Sequence, residues 1–238
     1  MKKTLILFAI LGNVAFADSF TWDFEATGAQ MSGSKTGGSF TTKTEIIDGV
    51  STIVLTGSTF YELETDDLYD MIQDAYAGKS TLTFSLLVNW GGSTTAYETF
   101  LHVGAQDYGI TLGACQGTLT FASGNSYDAG KITGATLTKD TWQKVEFTMF
   151  GNTTSVTIDG EKFDGKDLPS TSLKWNTTTT AENEKYSIGF NAPGYNNYTI
   201  ADGGTKIANF SVKSIPEPTT ATLSLLALCG LAARRRRK

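Results

Sequence analysis

The stretch that decides the fold is WQKVEFTMFGNTTSVTIDGEKF, residues 142–163. Apolar residues alternate with polar ones in both halves of this stretch, at Val145, Phe147, Met149, Val156 and Ile158. This two-residue period is typical of strands with one buried and one solvated face. Gly151-Asn152 separates the halves, and Asp159-Gly160 follows the second half with the residue types that a type I′ hairpin turn requires. The stretch therefore predicts three antiparallel strands in a meander.

A lone meander buries too little surface to be stable, so its apolar face needs a second sheet. Similar runs between glycine-rich turns bring the expected total to about ten to thirteen strands. The exceptions are a glycine-rich gap between Phe121 and Lys139 and one helix, which starts near Asp66 and ends at Gly78. The predicted fold class is all-β, an antiparallel β-sandwich with one short helix.

Both ends of the chain have the composition of processing signals. Residues 1–17 combine Lys2-Lys3, a short apolar run and an A-x-A pattern at Ala15 and Ala17, which predicts a secretory signal peptide. The last 24 residues carry an apolar run, residues 221–233, followed by five basic residues. We expect the 13-residue run to enter a membrane transiently, because a helix of that length spans about 20 Å of a roughly 30 Å hydrocarbon core. One domain, residues 18–214, remains between these segments.

The charge of this domain excludes several classes of partner. Residues 18–214 contain 12 lysines and 23 acidic residues, which leaves a net charge of −11, and they contain no arginine. Nucleic acids and anionic lipid surfaces require clustered basic residues. We therefore predict that the domain does not bind nucleic acid.

Cysteine and histidine are too scarce for most site chemistry. Cys229 lies in the C-terminal apolar run, so Cys115 has no partner for a disulfide within the domain. His102 is the one histidine of the chain, and its apolar neighbours indicate an ordinary strand position. Metal sites built from several histidines are excluded.

The chain resembles a laminin-G-like jelly roll of the concanavalin A-like lectin/glucanase superfamily. The resemblance covers nearly all of residues 20–213 and depends on four segments, TWDFEATG, TLTFSLLVNW, DTWQKVEFTMFGNTTSVTIDGEKFDG and GGTKIANFSV. It implies a sandwich fold, and some relatives bind calcium or sugars. The tail, residues 215–238, resembles a PEP-CTERM sorting signal through Pro216, Glu217 and Pro218. That resemblance implies processing by an exosortase-type transpeptidase and display at the bacterial surface or in an extracellular matrix.

Two carboxylates are candidates for hydrolysis. Glu62 and Glu64 fall on one face of a predicted strand, as the acids of a glycoside hydrolase would. The match is incomplete, because related glucanases place three acids at alternate positions of one strand and the predicted helix begins at Asp66. Aspartates in predicted loops could supply oxygen ligands for calcium, but no dense D-x-D-x-D loop is present.

Aromatic side chains near predicted loops are the candidates for ligand binding. They are Trp90, Trp175, Tyr195 and Tyr198, with Asp202 as a hydrogen-bonding partner. Aromatic rings can stack on sugars, although such residues also pack in ordinary loops. We expect an exported, surface-sorted, non-catalytic module that binds carbohydrate; the alternatives are a structural component of the matrix or envelope and a glycoside hydrolase.

Overall fold

The computed structural model describes residues 18–22, 35–37, 42–56, 59–62, 66–92, 97–103, 110–123, 130–168, 187–190 and 205–217. These residues form fifteen strands in two sheets and one helix, and every pairing between strands is antiparallel. The predicted fold class, an antiparallel β-sandwich with one short helix, is confirmed.

Sheet A has eight strands: β1 (Asp18–Trp22), β3 (Thr42–Ile47), β4 (Val50–Leu55), β6 (Ser80–Asn89), β11 (Trp142–Phe150), β12 (Thr153–Ile158), β13 (Glu161–Asp164) and β15 (Lys206–Pro216). Their order is β13-β12-β11-β6-β15-β4-β3, with β1 also paired to β15. Sheet B has seven strands: β2 (Lys35–Gly37), β5 (Thr59–Glu62), β7 (Tyr97–Val103), β8 (Ile110–Cys115), β9 (Thr118–Ser123), β10 (Lys131–Thr136) and β14 (Ser187–Phe190). Their order is β10-β9-β8-β7-β14-β5-β2.

The predicted meander is confirmed as β11, β12 and β13. Phe147 of β11 pairs with Val156 of β12, and both side chains are fully buried. Asp159 and Gly160 have φ angles of 51° and 90°, the left-handed conformation that a type I′ turn needs. The inward side chains of the meander meet sheet B, where the rings of Phe121 and Phe147 pack edge to face with centroids 5.9 Å apart. Aromatic contacts of this kind join the two sheets.

The helix α1 (Asp66–Tyr76) contacts β6 and β11 and buries Ile72 and Ala75 in the core. It ends as predicted at Gly78, which has a φ angle of 69°. The Lys79 N–H donates to the Asp74 carbonyl, and the Gly78 N–H donates to the Ala75 carbonyl. This pair of hydrogen bonds is a Schellman cap, which satisfies carbonyls that the helix itself leaves free.

The strand count was underestimated. β10 lies inside the stretch that was predicted as a glycine-rich gap, and β2 lies in another stretch without a predicted strand. β10 gives little periodic signal because only Ile132 and Ala135 are buried, and its register with β9 shifts between Lys131 and Thr136. Backbone pairing to β9, more than an apolar face, therefore defines this strand.

The sandwich has two ends along its strands, which we call the Trp90 end and the Pro216 end. At the Trp90 end, Asn89 closes β6 and pairs with both Trp142 and Lys206, the first residues of β11 and β15. At the Pro216 end, Ser80 opens β6 and pairs with Pro216, the last residue of β15. β6 has 10 residues, so the two ends lie about 30 Å apart at about 3.3 Å per residue.

Candidate functional site

The Trp90 end brings three polar side chains together from distant parts of the chain. Trp90 follows β6, Glu98 lies near the start of β7, and Thr205 immediately precedes β15. We call these three residues the Glu98 cluster. Because β6 and β15 belong to sheet A and β7 belongs to sheet B, the cluster links the two sheets.

Glu98 is a buried acid with only part of its hydrogen-bonding capacity used. Its residue exposure is 1%, and Thr205 Oγ1 donates to its Oε1 over 2.9 Å. The same hydroxyl accepts a hydrogen bond from the Gly91 N–H at 3.1 Å. Among the described residues, Glu98 Oε2 has no hydrogen-bond partner. The cluster therefore contains a buried carboxyl oxygen that can still donate or accept.

Burial raises the pKa of the Glu98 carboxyl, because desolvation disfavours its charged form. The Thr205 hydroxyl and the Trp90 indole act in the opposite direction, but burial prevails. Trp90 Nε1 approaches Glu98 without completing a well-formed hydrogen bond and is itself buried without a partner. Glu98 therefore keeps its proton to a higher pH than an exposed glutamate does.

Trp90 is fixed by its surroundings and is half-buried. Its carbonyl accepts the Asp140 N–H at 2.8 Å, and its backbone forms an isolated bridge with Lys139. The indole packs directly on Gly117, where a β-carbon would lie only 2.8 Å from Cη2 and Cζ3. A side chain at position 117 would therefore displace the ring.

Stability should depend on pH through Glu98. Folding raises the pKa of Glu98, so the carboxyl group loses its proton at a lower pH in the unfolded state than in the folded state. The free energy of unfolding therefore falls as pH rises from the unfolded to the folded pKa value. Glu98→Gln supplies a neutral isostere. We expect the variant to match the wild type at acidic pH and to exceed its stability by about 1 to 3 kcal/mol at neutral pH, the usual cost of a buried polar group without a partner.

Glu146→Gln is the matched control for urea unfolding across this pH range. The Lys144 side chain lowers the pKa of Glu146, so that carboxylate stabilises the fold above its unfolded pKa and loses this contribution as pH falls. Its variant should therefore lose stability at neutral pH. A Glu98→Gln variant that is less stable than the wild type at every pH would contradict the raised pKa of Glu98.

The five predicted ligand-binding residues are only partly described by the structure. Trp90 lies at the Trp90 end, whereas Trp175, Tyr195, Tyr198 and Asp202 lie outside the described residues. Tyr195, Tyr198 and Asp202 belong to the segment that enters β15 at Thr205. Trp175 belongs to a segment that follows Leu168, whose N–H bonds the Asn152 carbonyl at the Pro216 end. The role of all five in binding stays a prediction.

The predicted sorting motif begins inside the folded domain. β15 continues through Ile215 to Pro216, two residues beyond the expected boundary at Ser214. The Glu217 N–H donates to the Lys79 carbonyl at 2.9 Å, and the Thr81 hydroxyl donates to Glu217 Oε1 at 2.9 Å. Pro218 lies outside the described residues, as do Ala15, Ala17 and the apolar run of residues 221–233. No helix in the described ranges has the length and apolarity to cross a membrane.

The other candidate site residues predicted from the sequence are described only in part. Glu62 is the last residue of β5, and Glu64 lies outside the described residues, so their separation is not defined. His102 lies in β7, as expected for a strand position, and Cys115 is a free, half-buried thiol. Within the described part of the chain, no three acidic, histidine or cysteine residues gather where a metal ion could bind. Asp202, which could contribute to calcium binding, lies outside that part.

An open depression with a volume of about 530 Å³ lies at the Pro216 end. It is lined by Tyr76, Ala77, Gly78, Gly151, Asn152, Asp167 and Leu168. The Gly151 N–H donates to the Ala75 carbonyl at 2.8 Å, which joins the end of α1 to the β11–β12 turn. Asp167 is the one acid in its lining, so the depression has too few ionisable groups for acid–base chemistry.

Sequence reasoning missed Glu98 and Thr205. The only local signal was an acidic residue among apolar neighbours in β7, because Thr205 lies 107 residues away from Glu98. The depression had no sequence signal, since its lining comes from a helix end, a turn and a later segment.

No protein-family profile matches the chain, and no curated protein matches its sequence. Solved structures match it at low identity. A conserved carbohydrate esterase from Shiga toxin-encoding bacteriophage phi24B aligns with a TM-score of 0.51 at 10% identity, over 84% of this chain and 97% of that one. This likeness supports the sandwich fold alone.

Two further matches have lower TM-scores. A crystal structure of a receptor binding domain aligns with a TM-score of 0.47 at 12% identity, over 81% of this chain and 45% of that one. A Trypanosoma rangeli sialidase, in complex with 2,3-difluorosialic acid, aligns with a TM-score of 0.42 at 13% identity, over 67% of this chain and 25% of that one. The chain thus spans less than half the length of either protein. The solved structures that it matches include both binding domains and enzymes.

Proposed function

We propose that this protein is an exported, surface-sorted module that binds carbohydrate without hydrolysing it, and that the Trp90 end is its binding surface. The observation that carries the proposal is the half-buried Trp90, whose indole is held against Gly117. A ring held in place before binding loses little conformational entropy when a sugar stacks on it. Gly91 and Gly92 follow Trp90 directly, and the Lys139 side chain lies against Gly92.

The geometry gives less support to a hydrolase. A retaining or inverting glycosidase needs two carboxyl groups about 5 to 9.5 Å apart across the substrate. Glu62 is the last residue of β5, and Glu64 lies outside the described residues, so the predicted pair stays a prediction. Glu98 has the raised pKa of a general acid, but its 1% exposure separates it from a polysaccharide. The proposal therefore assigns Glu98 to support of Trp90 and not to catalysis.

A glycan-array screen of residues 18–217, with and without calcium, tests the binding proposal. We expect weak affinity, with a Kd of about 0.1 to 1 mM, because a shallow site with few aromatic anchors gains only about 4 to 5.5 kcal/mol. Trp90→Leu should remove binding. Trp142 is a second half-buried tryptophan, on the outer face of sheet A, and Trp142→Leu should retain binding. Reducing-sugar release that disappears in Glu62→Gln would replace this proposal with the hydrolase.

The structural alternative has its own support. The outer face of sheet A carries rows of hydroxyl groups, in which Thr83 and Thr148 are hydrogen-bonded at 3.1 Å and Thr157 donates to Glu146. These hydroxyl groups, together with the exposed Phe150 and Ile215 on the same face, would suit lateral packing in a matrix. Concentration-dependent assembly of the purified protein in sedimentation experiments, without glycan binding, would favour that role.

The sorting part of the proposal predicts loss of the C-terminal segment in the native host. Intact-mass measurement of envelope fractions should give a mature protein without the residues from about 221 onward. Pro216→Ala combined with Pro218→Ala should leave the tail attached. Since Glu217 is hydrogen-bonded to Lys79 and Thr81, a processing enzyme must first release this contact. Full-length tail on the wild-type protein would refute the processing.

A further inference from the structure

Two of the exposed large apolar side chains of the described residues lie at the Pro216 end. They are Phe150 and Ile215, with exposures of 41% and 46%. The other two, Ile46 and Val50, flank the Asp48-Gly49 turn between β3 and β4. Because β4 pairs with β15 at Leu55 and Ile207 near the Trp90 end, and β1 pairs with β15 from Phe210 to Ser214, that turn is not placed beside Ile215.

Phe150 and Ile215 lie on the same outer face of sheet A. Ile215 pairs with Thr81, and Met149, the residue before Phe150, pairs with Leu82. Phe150 and Ile215 therefore flank Thr81 from opposite sides, with one strand between them. Exposed apolar residues scattered over a surface need no explanation, but clustering at one end marks an interaction surface.

Both terminal segments of the chain leave from this same end. β15 closes at Pro216, and β1 opens at Asp18, which pairs with Ser214. The apolar run of residues 221–233 begins four residues after Glu217, the last described residue. A segment that enters a bilayer from there holds Ile215 close to the headgroup region, because so short a connection cannot carry the domain far away.

The charges at this end fit a zwitterionic surface better than an anionic one. Lys79 is paired with Asp74 at 2.8 Å, and Glu217 adds a further acid beside Thr81. Lys213, two residues before Ile215 in β15, is a further exposed lysine, so single lysines and not the cluster that attracts anionic lipid flank these described side chains. Apolar contact is the interaction that this surface offers.

We infer that the Pro216 end is a lipid-facing surface, on which Phe150 and Ile215 contact the bilayer interface beside the inserted C-terminal segment. This inference rests on the membrane insertion in the proposed function and adds an orientation to it. The sandwich then stands end-on, and the Trp90 end, about 30 Å away along β6, faces away from the membrane. A binding surface at the Trp90 end would be presented outward.

The test uses the full chain with Cys115→Ser and Cys229→Ser and one new cysteine. Asn152→Cys and Glu161→Cys place a fluorophore at exposed positions on either side of β12, at the Pro216 end and the Trp90 end. The probe is a phosphatidylcholine vesicle that contains nitroxide-headgroup lipid. We expect the label at position 152 to be quenched several-fold more than the label at position 161.

A variant with Phe150→Ser and Ile215→Ser should reduce quenching at position 152 to the level at position 161 while the protein still floats with the vesicles. The matched control, Thr148→Ser with Lys213→Ser, changes the same strands two residues closer to the Trp90 end and should leave the quenching unchanged. Thermal melting confirms that both variants fold.

Three results would overturn the inference. Equal quenching at the two positions in protein that floats leaves the insertion of the tail intact but refutes docking of the domain. Energy transfer between labels at position 152, without quenching by lipid, shows that a second copy covers this end. Protein that does not float refutes the insertion and the docking together.

Discussion

Phe147→Ala should lower the free energy of unfolding by about 3 to 5 kcal/mol, the range for removal of a buried phenylalanine. Phe147 is fully buried at the centre of β11 and packs edge to face on Phe121 of the opposite sheet. Its removal leaves a cavity between the sheets that the surrounding strands cannot close without losing their register. Urea unfolding followed by tryptophan fluorescence measures the loss.

Phe150→Ala is the control for this prediction, because it removes the same side chain from the same strand. Phe150 points to the outer face of sheet A and is 41% exposed, so its loss should cost less than about 1 kcal/mol. Similar losses for the two variants would contradict the assignment of the β11 faces. Phe147 and Phe150 are three residues apart and therefore face opposite sides of β11. A register shift of one residue would exchange their environments.

Gly113→Ala should destabilise the domain by about 2 to 3 kcal/mol, near the upper end of the usual cost of overpacking. A β-carbon at this position would overlap the carbonyl oxygen of Glu98 and would lie 3.3 Å from the Thr99 Cα. Both neighbours are backbone atoms of β7, so no flexible side chain can move aside. The pairing of β7 with β8 must separate at the place where it holds the Glu98 cluster.

Gly160→Ala separates this clash from the general effect of removing a glycine. Gly160 has a φ angle of 90°, but a β-carbon there meets no atom within 4 Å, so only the backbone strain of about 1 kcal/mol is expected. Thermal melting of both variants, each against the wild type, gives the comparison. A larger loss for Gly160→Ala would show that β7 and β8 tolerate a wider spacing than the structure has.

The two ends of the sandwich suggest a division of roles under the proposed function. The Trp90 end holds an indole that packs on Gly117 beside the Glu98–Thr205 hydrogen bond, and the Pro216 end holds Phe150, Ile215 and the exits of the chain. Because the two ends lie at opposite ends of the same strands, a membrane-facing Pro216 end would leave the binding surface at the Trp90 end facing outward. The glycan screen and the quenching experiment test these two roles independently.

Residues close together in the sequence were predicted well because their signals are local. The alternation in β11 and β12 reports which face each strand buries, and Asp159-Gly160 supplies the turn chemistry between β12 and β13. The helix end at Gly78 has an equally local cause, since a glycine takes up the left-handed conformation of the cap at little cost. Fold class follows from the sum of such segments.

Tertiary structure decided what depends on distant partners. Glu98 is an ordinary acidic residue in the sequence, and its pKa is raised only because the fold buries it, while the Thr205 hydroxyl and the Trp90 indole act in the opposite direction. In the sequence, Glu217 belongs to the predicted sorting motif, and only the fold shows that β15 brings it to Lys79 and Thr81. Local periodicity indicates whether a residue faces the core. The burial of a polar group depends instead on which strands meet around it. Those strands are brought together by contacts between residues more than a hundred positions apart.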